Sequence, residues 1–399
     1  MNAASQIQRF NAGRDPERLQ MKYRAMRTNP FVFLRGTCHL FYDRLPRGGV
    51  FKSAPLAWVC GDLHLENFGS YKADNRLAYF DLNDFDESAL APASWDLVRF
   101  LTSLQIGADS LAVTSVQLQR LCHAFVDAYA SALALGKAYW VERDTADGLV
   151  RALLDDLRNR SRVAFLESRT ALKGKKRLLR VDGKKALPAT PAQRAAITDF
   201  MHDFAKGLPN PDFYAVRDVA RRIAGTGSLG VDRYAILVEG KGSTDAHYIL
   251  DLKLSLPSSL LPRLKVIQPA WESEATRVVA LQRRVQAVSM AFLQPVNLAG
   301  VSYVLRGLQP SEDRVTLDRS PRTMSELEQV IGAMGRIVAW GQLRSAGRAG
   351  SALTDELIEF GQHTPWKAPL LDASQECVER VRKDWKTYCI AFDDGTFRA

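Results

Sequence analysis

The spacing of apolar positions changes character several times along this chain. From about 95 to 160, apolar residues recur at helical spacing with few breakers, which predicts long helices. From about 213 to 307, short apolar runs predict strands, with one helix over about 270–293 between them. Helical spacing returns at about 323–346 and 374–391. The pattern therefore predicts an α+β protein with one mostly helical lobe and one lobe that holds a small sheet.

The boundaries of these regions predict three segments: 1–208, mostly helical; 209–308, rich in strands; and 309–399, helices that return to the first lobe. Ahead of the strands, the pattern predicts an exposed hairpin over 170–191 that turns at Asp182-Gly183, then a helix over about 191–206. The predicted strands of the second segment are Val216–Ile223, Arg233–Glu239, His247–Leu254 and Val301–Leu305.

Composition narrows the class of protein. The chain has 399 residues and is 46% hydrophobic, enough for a large core in about two or three domains or lobes. Five scattered cysteines without a CxxC pair predict reduced thiols and a cytoplasmic protein. The polar N-terminus does not resemble a secretory signal, and no apolar run approaches the ~20 residues of a membrane helix.

The net charge of +10 and the pI of about 9.4 favour an anionic partner such as nucleic acid or a phosphorylated ligand. Lysines and arginines concentrate at 173–185, which predicts either a solvated face or a surface for an acidic partner.

The first candidate site is a loop followed by the end of a strand. Asp62 and Asn67 are five residues apart, the spacing with which phosphotransfer loops place a catalytic Asp beside a Mg²⁺-binding Asn. A second carboxylate must reach the same metal, and Asp84 and Asp81 follow the apolar run 76–82. The sequence therefore predicts Asp62 as the catalytic residue and Asn67, Asp84 and Asp81 as ligands of Mg²⁺. His64 is predicted to brace the loop.

The second candidate site is the glycine loop 225–230, which has the pattern GxGxxG between two predicted strands. That context is typical of the loop that covers the phosphates in kinases, because glycines let backbone amides approach closely. Gly225, Gly227, Ser228 and Gly230 are thus predicted to bind ATP. Lys253, on the next strand, is predicted to be a second catalytic residue that contacts the phosphates of ATP, with Glu274 or Glu272 as its carboxylate partner.

These motifs resemble those of the aminoglycoside phosphotransferase and choline kinase branch of the protein-kinase-like superfamily. That branch has a G-D-x-H-x-x-N loop, then a strand ending in I-D-[FW], then a D-L pair that supports the loop. The chain has corresponding residues at 61–67, at Asp84-Phe85 and at Asp96-Leu97. The resemblance implies a two-lobed kinase-like fold, with ATP and Mg²⁺ as cofactors.

The chain is more similar still to a bacterial family of unknown function marked by P-F-x-F-x-R-G, G-D-x-H-x-x-N-F-G and F-D-x-N-D-F-D-E. These motifs match residues 30–36, 61–69 and 80–87. That family has an acid where this chain has Ala280, which leaves the partner of Lys253 open.

The two sites occur in the reverse of the usual kinase order, in which the glycine loop and the lysine precede the catalytic loop. We therefore expect a circularly permuted kinase-like fold, with the catalytic-loop lobe first and the glycine-loop lobe second. The function predicted is ATP- and Mg²⁺-dependent phosphotransfer to an acceptor that the sequence does not identify.

Two alternatives stay open at this point. The first is a catalytically weak, kinase-like regulator that binds nucleotide. The second is a basic nucleic-acid-binding protein that uses residues 173–185. A metallophosphoesterase is excluded because the further GDxxD and GNH[DE] segments of that class are missing from the sequence.

Overall fold

A computed structural model describes residues 2–46, 48–309, 313–315, 317 and 322–398. Helices and short strands alternate along them, which confirms the predicted α+β class. The helices are α1 (Ala3–Phe10), α2 (Pro16–Thr28), α3 (Pro30–Gly36), α4 (Cys38–Asp43), α5 (Val50–Ser53), α6 (Ser94–Ile106), α7 (Ala108–Leu111), α8 (Ser115–Leu135), α9 (Gly148–Asn159), α10 (Arg162–Glu167), α11 (Pro191–Ala205), α12 (Glu274–Val285), α13 (Met324–Ser345), α14 (Thr354–Gln362) and α15 (Lys367–Asp393). The strands are β1 (Leu56–Val59), β2 (Phe68–Lys72), β3 (Ala78–Leu82), β4 (Ala89–Pro92), β5 (Thr170–Lys173), β6 (Lys176–Leu179), β7 (Ala186–Pro188), β8 (Val216–Arg222), β9 (Arg233–Val238), β10 (Tyr248–Leu254), β11 (Gln294–Leu298) and β12 (Val301–Gly307).

The largest sheet is antiparallel and has the strand order β11-β12-β10-β9-β8-β7. Alternate residues of a strand face opposite sides of its sheet. Leu250 and Leu252 of β10 therefore share one face, where they form an apolar cluster with Ile197 and Met201 of α11. The opposite face carries the polar residues Asp251 and Lys253.

The helical part contains the main core, and its longest helices have clear start signals. At the start of α8, Thr114 and Gln117 form a capping box, and Thr323 and Glu326 do the same for α13. The two helices pack closely at Gly335 of α13, where a Cβ would lie 2.4 Å from the Phe125 carbonyl oxygen of α8. Around this pair, β1 pairs with β4 and β2 pairs with β3, which positions the loops that follow β1 and β3.

The predicted helix over 270–293 is too long. Helix α12 ends at Val285, and the strand β11 follows at Gln294–Leu298. The intervening segment bonds instead to the β2–β3 hairpin: the Tyr71 hydroxyl donates to the Val288 carbonyl, and the Asp74 amide donates to the Ser289 carbonyl. Tertiary hydrogen bonds thus replace those of a continued helix.

The predicted hairpin over 170–191 forms, but its turn lies earlier than predicted. Strand β5 pairs with β6, and Lys173 lies opposite Lys176, so the turn is Gly174-Lys175. Gly174 has φ +59°, a conformation that glycine adopts without strain. The Asp182 side chain accepts hydrogen bonds from the amides of Lys184 and Lys185, and this second turn leads into β7 of the large sheet.

None of the helices formed by the described residues combines the length and the apolar composition that crossing a membrane requires.

Candidate functional site

The loop that follows β1 is fixed by close packing at Gly61 and by hydrogen bonds to Asp96. Gly61 has φ +84°, and a Cβ at this position would lie 2.2 Å from the carbonyl oxygen of Glu87. The carboxylate of Asp96, in the first turn of α6, accepts hydrogen bonds from the amides of Cys60 (2.8 Å) and Gly61 (2.9 Å). Burial raises the pKa of Asp96 to about 6. Asp96 therefore fixes the start of the loop through these two hydrogen bonds.

Asp62 is bound by a buried arginine of α6. Its Oδ1 accepts from Arg99 Nε at 3.1 Å and from Arg99 Nη2 at 2.5 Å. Burial raises the pKa of Asp62 above its ordinary value, and the Arg99 guanidinium opposes that rise. The second oxygen, Oδ2, faces the glycine loop, since a Cβ at Gly227 would lie 3.9 Å from it.

The end of the loop closes on Asp62. The Asn67 side-chain amide donates to the Asp62 carbonyl oxygen at 2.7 Å, which leaves the Asn67 side-chain oxygen available for other contacts. His64 Nδ1 accepts from the Glu66 amide at 3.1 Å. Burial lowers the pKa of His64 well below its ordinary value, so the ring is neutral and can accept. His64 thus braces the loop.

The carboxylates around the end of β3 divide into two groups. Asp84 Oδ1 lies 3.9 Å from Lys253 Nζ, and Asp86 forms an ion pair with the same lysine. Burial acts to raise the pKa of Asp84, but Lys253, Arg306 and Arg233 together lower it below its ordinary value. Asp84 is therefore ionised at neutral pH.

Asp81 faces away from this group. Its carboxylate accepts from the Leu82 amide (2.8 Å) and the Ala287 amide (3.2 Å), and lies 3.4 Å from Arg344 Nη2. Its neighbour in the sequence, Leu82, packs in the core. Asp81 therefore fixes the segment after α12 and is not placed beside Asp84, Asn67 and Lys253 as the sequence predicted.

The glycine loop turns its carbonyl groups toward the N-terminal helices. The Gly227 carbonyl accepts from Arg14 Nη1 at 2.9 Å and from Lys22 Nζ at 3.0 Å, and the Gly230 carbonyl accepts from the Asp15 amide at 2.9 Å. Because a trans peptide is planar, the amide of Ser228 points opposite to the Gly227 carbonyl, away from those helices.

This orientation leaves backbone donors for a ligand. Among the described residues, the amides of Thr226, Gly227 and Ser228 find no acceptor. Gly230 has a different role from these three residues. Its φ is +88° and it packs against Arg14, so it shapes the turn and does not face the cleft.

Glu274 does not reach Lys253. It pairs with Arg277 of the same helix at 2.7 Å, and Glu272 is exposed. Arg277 in turn donates to the carbonyls of Ser88 (2.6 Å) and Asp86 (2.9 Å). The carboxylates that meet Lys253 come from the chain after β3, and helix α12 contributes indirectly by holding that chain through Arg277.

These parts meet at two adjoining cavities of about 280 and 90 Å³. The smaller one brings together Asp62, Asn67 and Asp84 with glycine-loop residues 225–228. The larger one extends from Asp84 and the glycine loop to Leu308 and Gln309 after β12. Arg180 and Lys185 of the basic segment 173–185 line the larger cavity, so part of that segment faces the cleft.

Asn67 and Asp84 both line the smaller cavity, where they can offer an amide oxygen and a carboxylate to a cation. Across the described residues, no three His, Cys, Asp or Glu side chains gather closely enough to hold a metal ion by themselves. Mg²⁺ needs less than that, since it binds through one or two carboxylates together with phosphate oxygens and water. The residues present therefore fit a Mg²⁺ ion that arrives with a nucleotide.

Sequence reasoning missed Arg99 and Arg314. Arg99 lies within the apolar run of α6, where a lone cation signals a buried partner, and that partner is Asp62. Glu66 bridges Arg35 (2.6 Å) and Arg314 (2.5 Å) at the wall of the cleft. Glu66 and Arg314 are 248 residues apart in the sequence, which gave no signal that they would meet.

The comparisons with known proteins give a family. A model of an uncharacterized protein family conserved in bacteria, DUF2252, matches residues 14–391. The chain belongs to this family. The DUF2252 match includes the Asp62 loop, the carboxylates after β3, the glycine loop and Lys253. Neither the curated proteins nor the solved structures contain a match.

Proposed function

We propose that this DUF2252 protein is an ATP- and Mg²⁺-dependent phosphotransferase with a kinase-like, circularly permuted fold. One observation carries the proposal: Lys253 and the glycine loop, from the large sheet, meet Asp84 and Asp62, from the helical part. These are the groups that phosphoryl transfer needs around one triphosphate.

Each group has a part in this proposal. The free amides of Thr226, Gly227 and Ser228 bind phosphate oxygens, and Lys253 leaves Asp86 to contact the phosphates. Asn67 and Asp84 hold Mg²⁺, which offsets charge on the transferred phosphoryl group. Asp62 accepts or orients the proton of the attacking hydroxyl through Oδ2, the oxygen that Arg99 leaves free.

The strand arrangement supports the same proposal. The glycine loop joins β8 to β9, and β10 carries Lys253 beside β9. Helix α12 then follows, and β12 lies on the other side of β10. A glycine loop between two strands with the lysine on the third is the arrangement of the kinase nucleotide lobe.

One observation favours a second candidate, a regulator that binds nucleotide and turns it over poorly. Two hydrogen bonds from Arg99 to Asp62 oppose the rise in its pKa that burial causes, and so make it a weaker proton acceptor than a buried carboxylate without them. The two candidates share the nucleotide and differ in turnover.

The test measures ATP binding with and without Mg²⁺ by calorimetry, and transfer from γ-labelled ATP to water or to a pool of small metabolites. We expect Asp84→Asn to lose the Mg²⁺-dependent part of binding. We expect Asp62→Asn to bind ATP normally and to lose turnover by about 10²–10⁴-fold. Asp74→Asn, an exposed position before β3, is the control and should match the wild type.

The outcomes separate the candidates. Binding without turnover in the wild type would favour the regulator. A wild-type protein that binds no ATP in the presence of Mg²⁺ would contradict both candidate functions. Turnover that survives Asp62→Asn would remove the assigned role of Asp62.

A further inference from the structure

A buried cluster of charge on the large sheet lies beside the proposed site and holds no ligand group in the function proposed above, although two of its arginines lower the pKa of Asp84. Asp251, fully buried on β10, contacts three arginines: Arg233 at 2.6 and 2.8 Å, Arg222 at 2.7 Å and Arg306 at 3.4 Å. Each arginine comes from a different strand, β9, β8 and β12. We call these four residues the arginine subsite.

The arginine subsite faces the cleft. Asp251 and Lys253 are two residues apart on β10, so they share a face and their Cα atoms are about 7 Å apart. Arg306 lies opposite Asp251 on β12, and Arg233 lies opposite Lys253 on β9. All three arginines line the larger cavity, with Asp84 at its near end.

Positive charge in this part of the cleft exceeds negative charge. Asp251 contacts all three arginines, and Asp84, which also lies near Lys253, is a second carboxylate that attracts Arg233 and Arg306. On the facing wall, Glu66 alone serves Arg35 and Arg314. The arginine side chains of the subsite are only 8–11% exposed. Three buried guanidinium groups around one carboxylate repel one another, and an anionic ligand would offset that cost in free energy. Burial, together with the nearby Arg233, lowers the pKa of Arg222 to about 9, as expected of a crowded cation.

The chemistry of the subsite favours phosphate. Guanidinium groups present paired donors that match phosphate oxygens. A nucleotide base, in contrast, is usually held between apolar walls. The cleft has apolar residues such as Ile249 and Leu308, but its floor nearest Lys253 is the charged cluster.

We propose that the arginine subsite binds a phosphate group beyond the three of a nucleoside triphosphate. The phosphoryl donor would then be recognised through an additional phosphate, present either in an inorganic polyphosphate chain or on the ribose of a nucleotide. This inference rests on the proposed function, because it places the reacting phosphate between Asp84 and Asp62.

The test is displacement of a fluorescent ATP analogue from the full-length protein in Mg²⁺. The competitors are ATP, inorganic tripolyphosphate, long-chain polyphosphate, and ATP that carries a 3′-phosphate. We expect an extended ligand to bind about tenfold more tightly than its shorter counterpart, as one charge-assisted contact would give. Two comparisons of affinity identify the source of the extra phosphate. Polyphosphate is compared with tripolyphosphate, and 3′-phosphorylated ATP is compared with ATP.

The variants are Arg222→Gln and Arg306→Gln, each of which leaves Asp251 two arginine partners. Both should abolish the tenfold gain and leave ATP affinity within about twofold. Arg306→Lys, which keeps the charge without the paired donors, should retain part of the gain. Arg217→Gln is the matched control, because Arg217 also lies on β8 but is half-exposed and pairs with Glu239. It should keep the full gain, which excludes general attraction of polyphosphate to a basic protein.

The results distinguish a failure of the proposed function from a failure of the arginine subsite. If the fluorescent analogue does not bind the wild type, the proposed function fails. If it binds but neither extended ligand gains affinity, the arginine subsite is overturned and the function is untouched. A gain that survives in both glutamine variants, each with a wild-type melting temperature, would also overturn the subsite.

Discussion

At the residue scale, Asp62 combines two opposing influences. Burial favours its protonated form, and Arg99 favours the carboxylate. Arg99 is itself fully buried, and it also donates to the Leu34 carbonyl at 2.8 Å. The arginine therefore ties the Asp62 loop to α3 while it sets the protonation of Asp62.

This balance predicts a pH effect on turnover. Asp62 must be ionised to act, and its pKa is raised, so activity should fall as pH decreases through a value above 3.8. Arg99→Lys removes the paired donors that oppose the rise, so the acidic limb of the pH–rate profile should move to higher pH. Arg120→Lys, an exposed substitution on α8, should leave the profile unchanged. An unmoved limb in a folded Arg99→Lys protein would contradict the role of Arg99.

At the element scale, the packing of α13 on α8 depends on one glycine. A Cβ at Gly335 would lie 2.4 Å from the Phe125 carbonyl oxygen, closer than any relaxed contact allows. Three residues earlier, a Cβ at Gly332 would meet its nearest neighbour at 3.6 Å, an ordinary contact. The two helical glycines thus differ in packing although the sequence presents them alike.

We therefore expect opposite effects from the same substitution. Gly335→Ala should lower the free energy of unfolding by about 1–3 kcal/mol, because backbone must move to admit the methyl group. Gly332→Ala should leave it unchanged or raise it by up to about 1 kcal/mol, since alanine favours the helix. Urea denaturation of both variants makes the comparison. Equal effects would mean that α13 does not approach α8 as closely as the structure shows.

At the scale of the whole molecule, the N-terminal helices join the large sheet to the C-terminal helix. Lys22 of α2 is fully buried and donates to the Gly227 carbonyl, and Gln20 of the same helix donates to the Phe397 carbonyl at 2.6 Å. Burial lowers the pKa of Lys22 well below its ordinary value. The position of the glycine loop therefore depends on residues that are more than 200 positions away, such as Lys22.

This link predicts an effect of Lys22→Met on nucleotide binding. Methionine fills similar space but cannot donate to Gly227, so the loop should lose its fixed orientation. We expect ATP affinity to fall about tenfold and the amides of 225–231 to exchange hydrogen faster, with exchange in α13 unchanged. Arg24→Met, exposed on the same helix, is the control. Weaker binding without faster loop exchange would show that Lys22 acts in another way.

Predictions from the sequence pattern succeed where the signal is local. Helical spacing predicted α11 and α13 to within about one residue, and β8, β9 and β10 lie within about one residue of their predicted bounds. Where long-range bonds compete with local preference, the predicted bounds were wrong: α12 ends early because the segment after it bonds to the β2–β3 hairpin. Asp81 contacts Arg344, and its role as a Mg²⁺ ligand stays a prediction.

The sequence by itself determined the α+β class, the family and the residue types around Asp62, Asp84, Lys253 and the glycine loop. The motifs that contain these residues are short and local, so they can be recognised from the sequence alone. Only the tertiary structure decided which charges meet: Lys253 with Asp86 in place of Glu274, Arg99 with Asp62, and three arginines around Asp251. These ion pairs join residues from separate strands and helices. They form because a buried charge needs a partner, and which charges are buried together depends on the whole folded chain.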